Sequence, residues 1–356
     1  MLTLESQLKS HVQPGTLFES LPNQKLRCYA CAHRCLISNH QSGICRVRFN
    51  EEGLLWVPHN YTGALQIDPI EKKPFFHVLP SSKTLSFGML GCDYHCRYCQ
   101  NWITSQALRD PRIEAEAIVL KKCTAEDLVH QARQCQCDVI TSTFNEPLIT
   151  SEWAIEIFKI AHQNHLITSY VSNGNATPEV LRFIRPWVDL YKVDLKSFND
   201  QTYRKLIGGT LKPVLNSIID LKQLGFWVEL VTLLIPGIND QDSELKSMAQ
   251  FIVSVDRNIP WHLTAFHPDY EMTETSPTLF TQLARGVEIG KAAGLRYVYS
   301  GNRPTHAGLT ENTYCHQCQT LLIERKGFQV LNNYLPESGL CPHCSTCIPG
   351  IWKKIC

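Results

Sequence analysis

Cys92, Cys96 and Cys99 fall within eight residues, in the run Gly91-Cys92-Asp93-Tyr94-His95-Cys96-Arg97-Tyr98-Cys99-Gln100-Asn101. The spacing is C-x3-C-x2-C. Zinc sites are usually built from C-x2-C pairs and close with four ligands. Three thiolates in one loop, with no fourth nearby, suit a different group. They can hold three irons of a [4Fe–4S] cluster and leave the fourth iron open to a substrate. A cluster closed by four cysteines mainly carries electrons. The plainer alternative is a zinc-binding or buried-thiol loop.

The chain has 16 cysteines, and two further groups hold most of the rest. Tight clusters of this kind read as metal sites rather than disulfides. Cys28, Cys31, Cys35 and Cys45 give C-x2-C-x3-C-x9-C, which could close around zinc or an auxiliary iron–sulfur cluster, with His33 as a substitute ligand. A closed site would supply folding energy to a short, polar segment. Cys315-x2-Cys318 and Cys341-x2-Cys344 form two C-x2-C pairs, a zinc-ribbon pattern with a short strand expected at Leu321–Glu324. Gln319 and Ser345 stand where glycine often follows such a pair, and Cys347 could replace Cys344. Cys123, Cys135, Cys137 and Cys356 read as buried or incidental thiols.

Between the outer groups lies a regular pattern. Strand-like runs at 84–90, 138–143, 166–171, 188–194, 226–234, 261–266 and 295–299 alternate with helical patterns. The helices fall at about 124–135, 150–164, 178–185, 211–224, 241–255 and 276–293. This alternation implies parallel βαβ units, in a complete or partial barrel or in a doubly wound sheet. The expected division is an N-terminal cysteine-rich module (1–80), a β/α core (81–305) and a C-terminal zinc-ribbon-like module (306–356). With 34 basic against 33 acidic residues, a strongly basic nucleic-acid binder is excluded. The first residues carry no apolar run, and no stretch approaches the ~20 apolar residues of a membrane helix. The expectation is a cytoplasmic protein with neither nucleic acid nor membrane as partner.

C-x3-C-x-aromatic-C after a first strand resembles the signature of the radical SAM family. The resemblance implies a partial TIM-like β/α barrel, a [4Fe–4S] cluster on Cys92, Cys96 and Cys99, and S-adenosylmethionine chelating the open iron. One electron then yields a 5′-deoxyadenosyl radical that abstracts hydrogen from a substrate. Further matches follow the later strands. Asn145-Glu146-Pro147 occupies the place of the family's Gly-Gly-Glu-Pro, so Glu146 would hold the methionine ammonium. The two glycines are absent. Asn173-Gly174 resembles the ribose-facing Asn-Gly. Asp194-Leu195-Lys196 and His267 resemble cofactor-facing positions of the glycyl-radical-enzyme activases, and Tyr98 would pack on the adenine. Asp194 and Lys196 could instead be an ordinary internal salt bridge. All these residues would lie at strand C-terminal ends, where barrel active sites gather.

One branch is similar along about residues 25–352, the AmmeMemoRadiSam-system radical SAM enzymes, themselves similar to pyruvate formate-lyase activating enzymes. The match rests on Asp68-Pro69-Ile70-Glu71-Lys72-Lys73-Pro74, Gly43-x-Cys45-x-Val47-Arg48, Cys99-Gln100-Asn101-Trp102, Tyr297–Asn302 and Ile348-Pro349-Gly350. It implies Memo-like and AMMECR-type partners, and reduced flavodoxin or ferredoxin as electron donor. The function implied is that of an oxidoreductase or activase-like enzyme. A glycyl-radical-enzyme activase and a non-catalytic zinc-binding scaffold are the alternatives. No catalytic residue and no substrate are readable from the sequence.

Overall fold

A computed structural model of the chain describes residues 4–114, 118–302 and 310–354. Cys356 and the expected boundary at 305/306 lie outside them. Eight strands share one sheet: β1 Ala64–Pro69, β2 Lys83–Gly88, β3 Val139–Ser142, β4 Ile167–Ser172, β5 Leu190–Asp194, β6 Trp227–Leu234, β7 Trp261–Ala265 and β8 Val298–Gly301. Their order in space is their order in the chain. β2 to β8 run parallel, and β1 pairs antiparallel with β2. A doubly wound sheet reverses its strand order at a switch point. Here each crossover steps to the next strand in the same direction, the winding of a β/α barrel. The sheet is open, because no pairing joins β1 to β8 among the described residues.

The parallel strands are covered on both faces, so they read as continuous buried runs rather than alternating ones. All four residues of β3 are buried. The covering helices are α1 Ala125–Gln134, α2 Ser151–Gln163, α3 Pro178–Ile184, α4 Leu211–Gln223, α5 Asp242–Asp256 and α6 Phe280–Ala292. Each packs on the next, forming one outer layer. α1 opens on a capping box: Thr124 Oγ1 accepts the Asp127 N–H, and the Asp127 carboxylate accepts the Thr124 N–H. α6 begins at Phe280, later than the expected 276. Thr278 exchanges hydrogen bonds with Phe266 and donates to the Leu234 carbonyl, which holds the preceding link extended against β6 and β7.

The two ends of the chain close opposite ends of the sheet. Ile70, Phe75, Val78 and Ile351 pack on Val139, Ile167 and Leu190, which lie at or near the strand N-termini. There Glu229 accepts the Phe76 and His77 N–H groups at 3.0 Å, the Trp227 indole N–H at 3.0 Å, and the His262 ring at 2.6 Å. Buried Arg325, on the C-terminal hairpin, donates to the Phe76 carbonyl at 2.7 Å. At the other end, small hairpins from residues 12–58 pack beside the loop after β3. β1, which precedes the expected boundary at residue 80, is part of the central sheet. No helix of the described residues is long and apolar enough to cross a membrane.

Arg48 anchors the N-terminal hairpins. Its guanidinium forks onto the Glu152 carboxylate at 2.7 and 2.8 Å, with the two side chains 1 % and 5 % exposed. Burial alone would raise the Glu152 carboxyl, but Arg48 outweighs it and holds the pKa below the usual range. Arg48→Met strands this carboxylate and is expected to destabilise the protein by about 3–5 kcal/mol in denaturant unfolding. Arg48→Met with Glu152→Leu should regain most of that loss. A loss under about 1 kcal/mol from the single change would contradict the anchoring role.

Candidate functional site

A cavity of ≈ 390 Å³ opens at the C-terminal ends of β2 to β6. Its first wall is the loop after β2. A side chain at Gly88 would meet the Thr143 carbonyl oxygen at 2.3 Å, so glycine lets this loop lie against the one after β3. Cys92, Cys96 and Cys99 all line the cavity. The Tyr94 N–H donates to Cys92 Sγ at 3.4 Å, and Ser105 Oγ lies 3.2 Å from Cys99 Sγ. Burial pushes all three thiols up, Cys96 to about 12. A metal must therefore displace their protons when it binds.

Glu146 follows β3 and reaches the same cavity. Its carboxylate accepts from Ser172 Oγ at 2.7 Å, the Asn173 N–H at 2.8 Å and the Leu148 N–H at 3.1 Å. Burial first, and then the Asp93 charge, push it up to about 8. Such a carboxyl is suited to a cationic partner, which would restore its charge. Asp93 is itself buried, and both oxygens accept amide N–H bonds, from Asn173 at 2.7 Å and Asn175 at 2.8 Å. These bonds tie the cysteine loop to the loop after β4.

β5 supplies the charged floor. Lys192 and Asp194 share one face by strand alternation, and Lys196 follows in the loop. Asp194 pairs with Lys192 and with Lys196 Nζ, the latter at 3.1 Å. Burial opposes its charge, but the two lysines bring it down to about 2. Lys72 and Lys73 line the cavity from the other side, held by Asp68 at 2.8 and 2.6 Å.

Of the residues singled out in sequence, Cys92, Cys96, Cys99, Tyr98, Glu146, Asn173, Asp194 and Lys196 line this one cavity. The Asp194–Lys196 salt bridge is present and lies inside it. His267 is exposed and does not line it; its Nε2 lies 3.0 Å from Nε2 of Gln100, which does. Sequence reading missed Lys192, although its alternation with Asp194 marked it. It also missed Asp93 and Asn175, for which no sequence signal existed. The donor set fits a three-cysteine cluster: three thiols, no fourth cysteine in the lining, and a buried carboxyl set for a cation.

Cys315, Cys318, Cys341 and Cys344 form a second site whose sulfur atoms all lie within 4.8 Å of one another. Cys315–Cys344 and Cys318–Cys341 are each 3.6 Å apart. Sulfurs around one tetrahedral metal with bonds of about 2.3 Å stand at nearly that separation. Cys347 is exposed and outside the group. The two knuckles repeat each other: the Gln319 N–H donates to the Cys315 carbonyl and the Ser345 N–H to the Cys341 carbonyl, both at 2.9 Å. Gln319 and Ser345 each have φ of 60°, so non-glycine residues hold the left-handed turn. The expected strand is present at Leu321–Lys326.

Residues 88–252 match the family model for the radical SAM superfamily. An uncharacterized protein of Methanocaldococcus jannaschii is 36 % identical over 336 residues, covering 94 % of this chain and 98 % of its own. The pyruvate formate-lyase-activating enzyme of Streptococcus mutans is 20 % identical over 190 residues, 50 % of this chain and 69 % of its own. Among solved structures, a radical SAM methyltransferase from Sphaerobacter thermophilus aligns with a TM-score of 0.47 at 16 % identity, over 63 % of this chain and 67 % of that one.

The left-handed knuckle residues make a simple test. Gln319→Gly and Ser345→Gly should each stabilise the metal-loaded protein by about 0.5–1 kcal/mol, the relief of left-handed strain less the entropy glycine adds to the unfolded chain. Thermal unfolding should rise by a degree or more for each. A fall in melting temperature would mean that the two side chains contribute more than their backbone strain removes.

Proposed function

The chain belongs to the radical SAM superfamily, and from that premise we propose that it binds a [4Fe–4S] cluster at Cys92, Cys96 and Cys99, with S-adenosylmethionine against it. One observation carries this reading: three thiols and a buried Glu146 converge on one cavity at the strand C-terminal ends. When bound, the pair supplies a 5′-deoxyadenosyl radical for hydrogen abstraction from a substrate. Glu146 takes the methionine ammonium, a charge-assisted contact suited to a carboxylate already fixed by Ser172 and Asn173. Asp194 and Lys196 orient the polar parts of the cofactor, and Tyr98 and Asn173 flank its nucleoside. His267 acts from the rim, through Gln100. The lysines offset the negative charge gathered by the carboxylates and thiolates.

Within the superfamily we place the chain with the AmmeMemoRadiSam-type enzymes, on the Asp68–Pro74 string and the two cysteine modules. Reduced flavodoxin or ferredoxin would deliver the electron, and Memo-like and AMMECR-type proteins would be its partners. Zinc suits the C-terminal site. A glycyl-radical-enzyme activase is the second reading, favoured by the half-chain match to pyruvate formate-lyase-activating enzymes. A glycyl radical EPR signal on a candidate partner protein would select it.

Two measurements test the main reading. Anaerobically reconstituted protein with dithionite should form 5′-deoxyadenosine, and Cys92→Ala should abolish it; full turnover in that variant would refute the ligand assignment. The second is proton linkage. The raised Glu146 carboxyl holds its proton below about pH 8, so a cation that pairs with it expels that proton. S-adenosylmethionine affinity should rise from pH 6.5 to 8, with proton release seen as buffer-dependent binding heat. Glu146→Gln should weaken binding at least tenfold and remove the Glu146 share of that proton release. Unchanged proton release in the variant would dissociate Glu146 from the ammonium.

A further inference from the structure

The N-terminal cysteines form a site of their own, directly behind the Cys92 loop. Two loops build it. Cys28 ends the strand Lys25–Cys28, and its N–H donates to the Cys35 carbonyl at 3.0 Å, so both flank the mouth of one hairpin. Cys31 lies in the loop between them. Cys45 comes from the tight turn 43–48, closed by the Gly43 N–H on the Arg48 carbonyl at 2.8 Å. The turns interlock, since the Ile44 N–H donates to Cys35 Sγ at 3.4 Å. Cys28, Cys31 and Cys45 are buried, Cys35 is partly so, and none is in a disulfide. A side chain at Gly43 would meet Cys35 Sγ at 3.5 Å, so the turn that carries Cys45 lies directly against the hairpin mouth.

The spacing of the sulfurs distinguishes the C-terminal four from the other two groups. Around one tetrahedral zinc, sulfurs stand about 3.7 Å apart, given bonds of about 2.3 Å. Among the described residues only the C-terminal four meet such a limit; no three of the N-terminal sulfurs lie within 4.8 Å of one another. The Cys92, Cys96 and Cys99 trio fails the limit in the same way. Cysteines that each bind a different corner iron of a cubane must stand farther apart than ligands of a single ion. One chain thus holds, among the described residues, one set of cysteines closed to the spacing of a single ion and two sets that are not, the N-terminal four among them.

The site also touches the first. Arg109 Nη2 donates both to the Ile44 carbonyl and to the Cys92 carbonyl, the latter at 2.8 Å. The Ala32 N–H donates to the Asn175 carbonyl at 2.8 Å, and Asn175 holds Asp93. A side chain at Gly91 would meet the Cys45 carbonyl oxygen at 3.0 Å.

We propose that Cys28, Cys31, Cys35 and Cys45 ligate a second [4Fe–4S] cluster, closed by four protein ligands, that exchanges single electrons with the cluster at Cys92, Cys96 and Cys99. The proposal rests on the proposed function of that first site. With all four irons coordinated by protein, the cluster has no open position and carries electrons only. It is reduced by one electron from a one-electron protein donor of the flavodoxin or ferredoxin class. It is reoxidised by one on passing that electron to its neighbour, and no bond or proton moves.

The test compares the full chain with two variants after anaerobic reconstitution. The wild type should hold about eight iron and eight sulfide, and both Cys92→Ala/Cys96→Ala/Cys99→Ala and Cys28→Ser/Cys35→Ser about four of each. The reduced triple variant should keep an EPR signal that S-adenosylmethionine does not alter. The reduced wild type should show two signals broadened by mutual magnetic coupling, only one of them shifted by S-adenosylmethionine. Should the cysteine variants fail to fold, the wild-type stoichiometry and its two coupled signals decide alone. About four iron in the wild type, with two zinc per chain, would overturn the second cluster and leave the first standing. Eight iron with uncoupled signals would overturn the electron exchange. No iron in any form would sink the radical SAM reading together with it.

Discussion

Arg48 and Glu152 face each other inside the protein with almost no contact with water. A buried pair of this kind adds little net stability over well-packed apolar residues, because both ions are stripped of solvent. What it imposes is orientation. A guanidinium fork on a carboxylate admits one planar geometry, and the remaining capacity of Glu152 is used by the Thr16 and Leu17 N–H groups. Arg48 follows Cys45, and Glu152 opens α2 just after Glu146. The ion pair therefore fixes where the N-terminal thiols lie relative to the carboxylate of the main cavity. Arg48 also donates to the Ile149 carbonyl at 3.0 Å, which locks the loop between Glu146 and α2.

A second constraint runs from the cavity to the far end of the sheet. Asp68, at the end of β1, holds Lys72 and Lys73 against the cavity. The residues around them turn away: Glu71 accepts the Ser81 N–H, and Phe76 and His77 bind Glu229 at the base of β6. His77 reaches the Tyr299 hydroxyl at 2.6 Å and the Pro349 carbonyl at 2.7 Å. The inward face of β6 makes the change visible in one strand: Glu229 sits in the buried polar network at the base, Val231 and Leu233 line the cavity. A single short segment thus couples the lysines of the site to the docking of the C-terminal module.

The parallel strands and their helices were legible because both carry periodic apolar signals. The direction of winding was not, since the alternation left a barrel and a doubly wound sheet both open; the strand order settles it. The cysteine loop was legible from spacing alone, since its three thiols are local in sequence. The failures are long-range. Asp93 is an acid between two cysteines and gains meaning only from Asn173 and Asn175, which the fold brings to it. β1 was placed in the N-terminal module because its sequence, half exposed at the sheet edge, lacks a buried strand's continuous run. Gln319 and Ser345 departed from the expected glycine, yet the knuckle turns form in the left-handed region, each closed by a backbone hydrogen bond onto the first cysteine of its pair.

Position gives the two terminal modules different work. The C-terminal four cysteines dock through Arg325, Tyr299 and His77 at the N-terminal ends of the strands, with the sheet interior between them and the cavity. A metal there can order the tail and cover the base of the sheet, but it cannot touch a substrate at the other end. The N-terminal cysteines lie on the side of the cavity, one guanidinium away from the Cys92 carbonyl. Electron transfer needs closeness and no shared open space, whereas binding a substrate needs an open cavity. The N-terminal cysteines have the first property; the Cys92 loop has the second. On the proposed reading, the difference in cysteine count between the two, four against three, follows that division of chemistry.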